Sequence, residues 1–161
     1  MKIKPKKLNA GDTIGIISPA GVLKDREKLY KAVKYFEQKG YRVKTAPHAL
    51  DKDGYLAGKD LDRASDLEAF FSDDEINAIF CSRGGYGTSR ILNRLNWDII
   101  RHNPKIFVGF SDITTLLNNF NTKSNLVTFH GPLAAIDFGR DEIDEYTEKA
   151  FWDIVTGQAQ I

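Results

Sequence analysis

A serine lies in a short turn between an apolar segment and a helical one, within Gly109-Phe110-Ser111-Asp112. Many hydrolases place a nucleophile on such a strand-to-helix turn, although a serine hydroxyl is a weak nucleophile without a base. The turn resembles the G-x-S-x-G pattern of a nucleophile elbow, except that Ile113 occupies the position of the second glycine. A plain helix cap is the alternative interpretation, because serine and aspartate both favour that position.

A glycine-rich segment, Ser82-Arg83-Gly84-Gly85-Tyr86-Gly87, is the second candidate for chemistry. Clustered glycines after a strand allow backbone N–H groups to converge on an anion. The segment matches neither G-x-G-x-x-G nor a Walker loop, and a tight strand-to-helix connection is the alternative. Arg83 would bind a carboxylate through two hydrogen bonds, or it would serve as a structural ion-pair partner.

Three histidines are available as bases, namely His48, His102 and His130. His130 follows a predicted strand, so a triad of Ser111, His130 and an aspartate can be drawn. His102 is expected to be a surface or capping group. The sequence has no clustered His/Cys pattern at ligand spacing, so we expect neither a metal ion nor a cofactor.

The amino-acid composition indicates which partners and which cellular compartment to expect. A net charge of +1 over 161 residues gives no indication of a nucleic-acid or membrane partner. The one cysteine, Cys81, excludes an internal disulfide and is typical of a reducing compartment. Neither a signal peptide nor an apolar stretch of roughly 20 residues is present. We therefore expect a cytoplasmic protein.

Strand-like and helix-like segments alternate along the whole chain. Apolar runs predict strands at 13–17, 41–45, 77–81, 106–108 and 126–129. Helical spacing predicts helices within 24–39, 61–71, 88–95 and 144–155, with a short one at 97–100. The inward side chains are expected to include Ala69 in the second helix and Tyr146, Ala150, Phe151 and Ile154 in the last. This alternation predicts an α/β fold, a flavodoxin-like or Rossmann-like parallel sheet flanked by helices, as a single domain over 1–161.

The candidate residues follow different strands of this predicted sheet. Ser18, Arg83 to Gly87, Ser111 and His130 each follow a predicted strand. Ligands bind parallel α/β sheets at the carboxyl ends of the strands. We therefore expect these residues to gather at one edge of the sheet.

Together these motifs resemble the L,D-carboxypeptidase family of serine peptidases, which includes the microcin-immunity peptidases. The resemblance covers about Lys4 to Pro132 and rests on the order and spacing of five blocks. These blocks are Gly11 to Ala20, Gly54 to Gly58 with Arg63 after it, Arg83 to Gly87, Lys105 to Thr114 and Phe129 to Pro132.

The resemblance implies roles for individual residues. Ser111 would be the nucleophile. The oxyanion hole would consist of the backbone N–H groups of Asp112, Gly84 and Gly85. Arg83 and Tyr86 would bind substrate. Members of the family remove a C-terminal D-amino acid, usually D-alanine from a murein tetrapeptide, during cell-wall recycling in the bacterial cytoplasm.

The family's triad also needs a histidine and a glutamate, which come from a C-terminal domain. No residue of this chain matches them, so the resemblance implies the nucleophile-bearing half, with little or no peptidase activity alone. Uncovered apolar surface would then favour homodimers. Two alternatives are a non-catalytic carboxylate- or phosphate-binding module and half of a microcin-immunity peptidase.

Overall fold

Five parallel strands form the central sheet in the computed structural model, which describes residues 1–159. The strands are β1 (Thr13–Ile17), β2 (Arg42–Thr45), β3 (Ile76–Cys81), β4 (Ile106–Gly109) and β5 (Phe129–His130). Their order in the sheet is β2-β1-β3-β4-β5. This is the order of flavodoxin-like sheets, so the predicted α/β fold is confirmed.

Helices connect and cover the strands. They are α1 (Glu27–Gln38), α2 (Asp60–Ser72), α3 (Thr88–Ile91), α4 (Trp97–His102), α5 (Thr114–Lys123) and α6 (Glu145–Val155). Short 3-10 turns occupy Leu92–Arg94 and Ser111–Ile113, and a π-helical turn occupies Ala134–Phe138. Across residues 1–159, every helix is too short or too polar to cross a lipid bilayer.

Side chains of the sheet alternate between two hydrophobic cores. In β3, Ile79 and Cys81 face one core, whereas Ala78 and Phe80 face the other. This is the period of two expected for a strand covered on both faces. Helices α2 to α5 supply the first core, and α1, the π-helical turn and α6 supply the second.

The buried face of α6 differs from the predicted one. Phe151 is only 7% exposed, but Tyr146 is 82% exposed and Ile154 is 54% exposed. Tyr146 lies five residues from Phe151, about 140° around the helix axis, so both cannot face the sheet. Trp152 stacks on Tyr41 at a ring separation of 5.2 Å. This contact rotates the helix toward the Trp152 side and leaves Ile154 in solvent.

Three smaller expectations were also wrong. The fifth strand is Phe129–His130, and Leu126 forms only an isolated bridge with Ile3. The helix expected over 88–95 is α-helical only to Ile91 and continues as a 3-10 turn. Ala69 is exposed rather than inward. The bridge between Leu126 and Ile3 joins distant parts of the chain, which a local pattern does not show.

Substituting Phe151→Ala tests the packing of α6. Phe151 contacts the rings of Phe80 and Phe138, so its truncation should lower the free energy of unfolding by about 3–5 kcal/mol. Tyr146→Ala on the same helix is the control and should change it by less than about 0.5 kcal/mol. Urea unfolding measures both, and equal effects would contradict the observed face of α6.

Candidate active site

Ser111 occupies a strained backbone position on an exposed turn. It directly follows β4 and the extended residue Phe110, and its φ is +63°. This left-handed conformation costs a non-glycine residue roughly 1–2 kcal/mol. Gly109 permits the turn, because a Cβ there would lie 2.6 Å from Cγ2 of Ile113. The geometry is therefore that of an elbow, with Ile113 buried beneath it.

Neither polar side chain of this turn caps the helix that follows it. The Asp112 carboxylate instead accepts hydrogen bonds from Thr88, at 2.9 Å from the backbone N–H and 3.0 Å from the hydroxyl. The Thr88 hydroxyl also lies 2.8 Å from the Asp112 carbonyl oxygen. Asp112 therefore fastens the serine turn to the start of α3, a contact that the sequence did not indicate.

The glycine-rich segment passes directly beside Ser111. A Cβ on Gly84 would lie 2.9 Å from Ser111 Cβ and 3.1 Å from its Oγ, so only glycine fits without movement. The Gly84 carbonyl accepts a hydrogen bond of 3.1 Å from the Gly21 N–H. The backbone N–H groups of Gly84, Gly85 and Asp112 donate no hydrogen bond to any acceptor among residues 1–159. Three donors thus remain available near the serine.

Arg63 is a charged side chain buried behind this site, at 1% exposure. Its Nη1 donates to the carbonyl oxygens of Pro19 at 2.6 Å and Gly87 at 3.0 Å, and its Nη2 donates to the Asp60 carboxylate. Burial lowers the pKa of the Arg63 guanidinium. The hydrogen bond from Arg90, together with the charge of Arg63, lowers the pKa of Asp60. In the sequence, only the family resemblance indicates Arg63.

A cavity of about 680 Å³ opens beside the glycine-rich segment. Arg83 lines it and donates from Nη1 to the Val22 carbonyl at 2.9 Å, and no carboxylate pairs with it among residues 1–159. The ring of Tyr86 lies 5.8 Å from that of Tyr55 at the same cavity. Its remaining lining residues are Gly21, Val22, Leu23, Lys24, Arg26, Leu50, Lys52, Gly54 and Gly85.

This cavity is cationic and adjoins the serine without including it. Lys24, Arg26 and Lys52 add positive charge at its rim, alongside Arg83. Ser111 is not a lining residue, but Gly84, which contacts it, directly precedes the lining residue Gly85. A negatively charged group bound in the cavity would therefore lie close to the serine turn.

The described residues place none of the three histidines in a hydrogen bond with Ser111. His130 is exposed, and its ring centroid lies 6.0 Å from that of Phe110. His48 is bonded to Asp66, and His102 lies against the carbonyl of Asp98. Residues 1–159 therefore contain no assembled serine–histidine pair.

Ser18 reaches the expected sheet edge but has a different environment. Its hydroxyl is buried, 2.7 Å from the Ala49 carbonyl oxygen and 2.6 Å from Ser82 Oγ. These contacts join the chain segments that follow β1, β2 and β3. They leave Ser18 no exposed hydroxyl for chemistry.

Comparison with known proteins identifies the family. Residues 14–131 match the LD-carboxypeptidase N-terminal domain. The chain belongs to this family. A curated relative, the probable murein peptide carboxypeptidase of Bacillus subtilis, is 42% identical over 94% of this chain and 47% of its own length. The chain thus spans about half the length of that relative.

Solved structures of family members have the same fold. An MccF-like protein from Bacillus anthracis superimposes with a TM-score of 0.91 at 37% identity, over 96% of this chain and 47% of that protein. The microcin C7 self-immunity protein MccF in complex with aspartyl sulfamoyl adenosine gives a TM-score of 0.91 at 29% identity, with the same two coverages. Both superpositions cover about half of the larger protein.

Substituting Ser111→Gly tests the strain in the elbow. Glycine adopts positive φ freely, so this variant should be at least as stable as the wild type despite its more flexible unfolded chain. Ser89→Gly, at an exposed position in α3, is the control and should lose up to about 0.5 kcal/mol, the difference in helix propensity between serine and glycine. Urea unfolding compares the two, and an equal loss in both would contradict the strained geometry.

Substituting Asp60→Asn tests the anchor around Arg63. The variant should lose about 2 kcal/mol of unfolding free energy at neutral pH, because the buried guanidinium loses its charged acceptor. The lowered pKa of Asp60 means that its contribution is complete above the unfolded pKa and is lost as the pH falls through the folded value.

The difference between wild type and Asp60→Asn should therefore shrink below about pH 4. Urea unfolding from neutral to acidic pH measures this. Asp74→Asn, at an exposed carboxylate, is the matched control and should stay within about 0.5 kcal/mol throughout. A pH-independent loss in Asp60→Asn would show that charge is not the cause.

Proposed function

We propose that this chain carries the nucleophile of a serine carboxypeptidase that removes a C-terminal D-amino acid, D-alanine in particular, from a murein-derived peptide in the cytoplasm. The observation that carries the proposal is the exposed, strained Ser111 with Gly84 packed against its Oγ. Membership of the LD-carboxypeptidase family and the name of the Bacillus subtilis relative support the same reaction class.

In the proposed reaction, Ser111 Oγ attacks the carbonyl carbon of the last peptide bond. A base takes the hydroxyl proton and later delivers it to the nitrogen of the departing D-amino acid. Water then releases the remaining peptide from the acyl-enzyme. The negative charge on the carbonyl oxygen would be stabilised by the unbonded N–H groups of Asp112, Gly84 and Gly85.

The cationic cavity would hold the C-terminal carboxylate of the substrate. Arg83 has no carboxylate partner among residues 1–159 and retains donors for a bidentate contact. Tyr86 and Tyr55 would contact the apolar parts of the peptide. Binding the carboxylate there would place the last peptide bond beside the serine turn and so select an exopeptidase reaction.

The base and its orienting acid would come from a region that corresponds to the other half of the relatives. Two observations support this proposal. The three histidines lie away from hydrogen-bond contact with Ser111, and the relative from Bacillus subtilis is about twice as long as the shared region. Without a base, the 161-residue chain should be slower than a complete enzyme by roughly four to six orders of magnitude.

An acylated nucleotide is the second candidate substrate. The observation in its favour is the tyrosine pair beside four cationic side chains, which would suit a nucleobase and a phosphate-like group. The solved MccF complex with aspartyl sulfamoyl adenosine contains a ligand of this class. The nucleophile and the oxyanion donors would be the same for both substrates.

A chimaera tests the proposal directly. Residues 1–159 are joined to the remaining part of the Bacillus subtilis relative, and D-alanine release from a murein tetrapeptide is measured. We expect turnover by the chimaera, loss of turnover in its Ser111→Ala form, and little or none by the 161-residue chain alone. Hydrolysis of aspartyl sulfamoyl adenosine, measured in parallel, separates the two candidate substrates.

Two variants of the chimaera serve as controls. His130→Ala should retain turnover, because His130 is not the base. Arg83→Lys should raise the KM more than it lowers kcat, because lysine keeps the charge but loses the bidentate contact. Turnover by the 161-residue chain alone that is abolished by both Ser111→Ala and His130→Ala would instead identify His130 as the base.

A further inference from the structure

A cluster of metal-ligating side chains lies outside the proposed active site, where the loop after β2 meets the start of α2. His48, Asp51 and Asp62 each offer one ligand atom, and these atoms all lie within 4.8 Å of one another. The three residues line a cavity of about 490 Å³. The sequence does not indicate this cluster, because Asp62 joins the other two residues only through the fold.

The imidazole of His48 is held in a defined orientation. Its Nδ1 lies 2.8 Å from Asp66 Oδ1, while Asp66 Oδ2 accepts the His48 backbone N–H at 3.1 Å. Asp66 is buried, at 5% exposure. In the state with Asp66 ionised and the imidazole neutral, Nδ1 donates to Asp66 and Nε2 keeps a lone pair for a metal ion. Histidines that bind metals usually donate their other N–H to a carboxylate in this way.

We propose that His48, Asp51 and Asp62 bind a divalent transition-metal ion, of which zinc fits the donor set best. One imidazole and two carboxylates match zinc, with water as the fourth ligand. Calcium and magnesium prefer oxygen donors throughout. Tetrahedral zinc needs ligand atoms about 3.3 Å apart, so the cluster would contract by up to about 1.5 Å. Asp51 is exposed, so we expect its side chain to make most of this movement.

Gly58 and the charged residues of the cavity form the surroundings of the cluster. Gly58, at φ +80°, packs so closely that a Cβ there would lie 3.0 Å from Asp51 Cβ. Lys52 and Lys59 also line the cavity and oppose a cation, whereas Asp53 favours one. Both lysines are exposed, so their ammonium groups can turn toward solvent.

Metal binding would connect two elements of the fold. His48 and Asp51 lie at the start of the loop that carries Tyr55, and Asp62 lies in the first turn of α2. A bound ion would therefore fix that loop to α2 and steady the position of Tyr55 at the cationic cavity. The site itself does not depend on the proposed peptidase function.

Titration of the metal-free 161-residue chain with Zn²⁺ tests the site. Calorimetry should show one equivalent bound, and Co²⁺ in place of Zn²⁺ should give the visible absorption bands of a four-coordinate ion. Asp62→Asn and His48→Gln should each weaken Zn²⁺ binding at least tenfold. Asp53→Asn, at a carboxylate of the same cavity outside the cluster, and His102→Gln are the controls and should bind as the wild type does.

Asp66→Asn tests the positioning role of the buried carboxylate. It should weaken Zn²⁺ binding by about 10–100-fold. Circular dichroism of each metal-free variant shows whether it is folded. If Asp66→Asn unfolds, the result for Asp62→Asn, at a partly exposed position, still tests the site. The proposal is overturned if the wild type binds no Zn²⁺, if Asp62→Asn binds like Asp53→Asn, or if Ca²⁺ binds as tightly as Zn²⁺.

Discussion

The buried guanidinium of Arg63 is the interaction on which the arrangement of the site depends. It reaches from α2 to the carbonyl of Pro19 after β1 and to the carbonyl of Gly87 after β3. Desolvating this charge is costly, and the hydrogen bonds to Pro19, Gly87 and Asp60 offset part of that cost. Gly87 must be glycine, because its φ is +130° and a Cβ there would lie 2.6 Å from Leu56 Cδ2 and 3.0 Å from Arg63 Nη1. The Arg63 guanidinium thus fixes the distance between the loops that follow β1 and β3, at one edge of the sheet.

A second set of hydrogen bonds, between Thr88 and Asp112, connects the contacts of Arg63 to the serine turn. Thr88 directly follows Gly87, and its backbone N–H and hydroxyl bind Asp112 beside Ser111. Hydrogen bonds to a charged acceptor contribute roughly 1.5–3 kcal/mol each, which is enough to hold a left-handed serine that costs roughly 1–2 kcal/mol. Hydrogen bonds from Thr88, which lies outside the turn, therefore offset the backbone strain at Ser111. Arg63, Gly87, Thr88 and Asp112 form one continuous chain of contacts that ends at Ser111.

The sequence predicted those features that depend on local pattern. Apolar runs located β1, β3 and β4 to within a residue or two, and parallel topology placed the loops after them at one edge. Long-range contacts could not be predicted in this way. The partner of the Asp112 carboxylate lies 24 residues away, and a buried arginine has no local signature. The face of α6 was misjudged because the contact of Trp152 with Tyr41, far away in the chain, decides it.

The positions of the serine and of the N–H donors indicate which catalytic groups this chain would supply in the proposed enzyme. Oxyanion stabilisation needs donors fixed relative to the nucleophile, and the unbonded N–H groups of Gly84 and Asp112 belong to the segments that Thr88 and Asp112 join. A base must come within about 2.6–3.2 Å of the serine hydroxyl to take its proton. Ser111 is exposed on this turn, so such a group can approach from outside the described residues. The nucleophile and the proposed oxyanion donors thus lie together at one edge of the sheet, and in the proposed enzyme the proton carrier is the group that a separate region would supply.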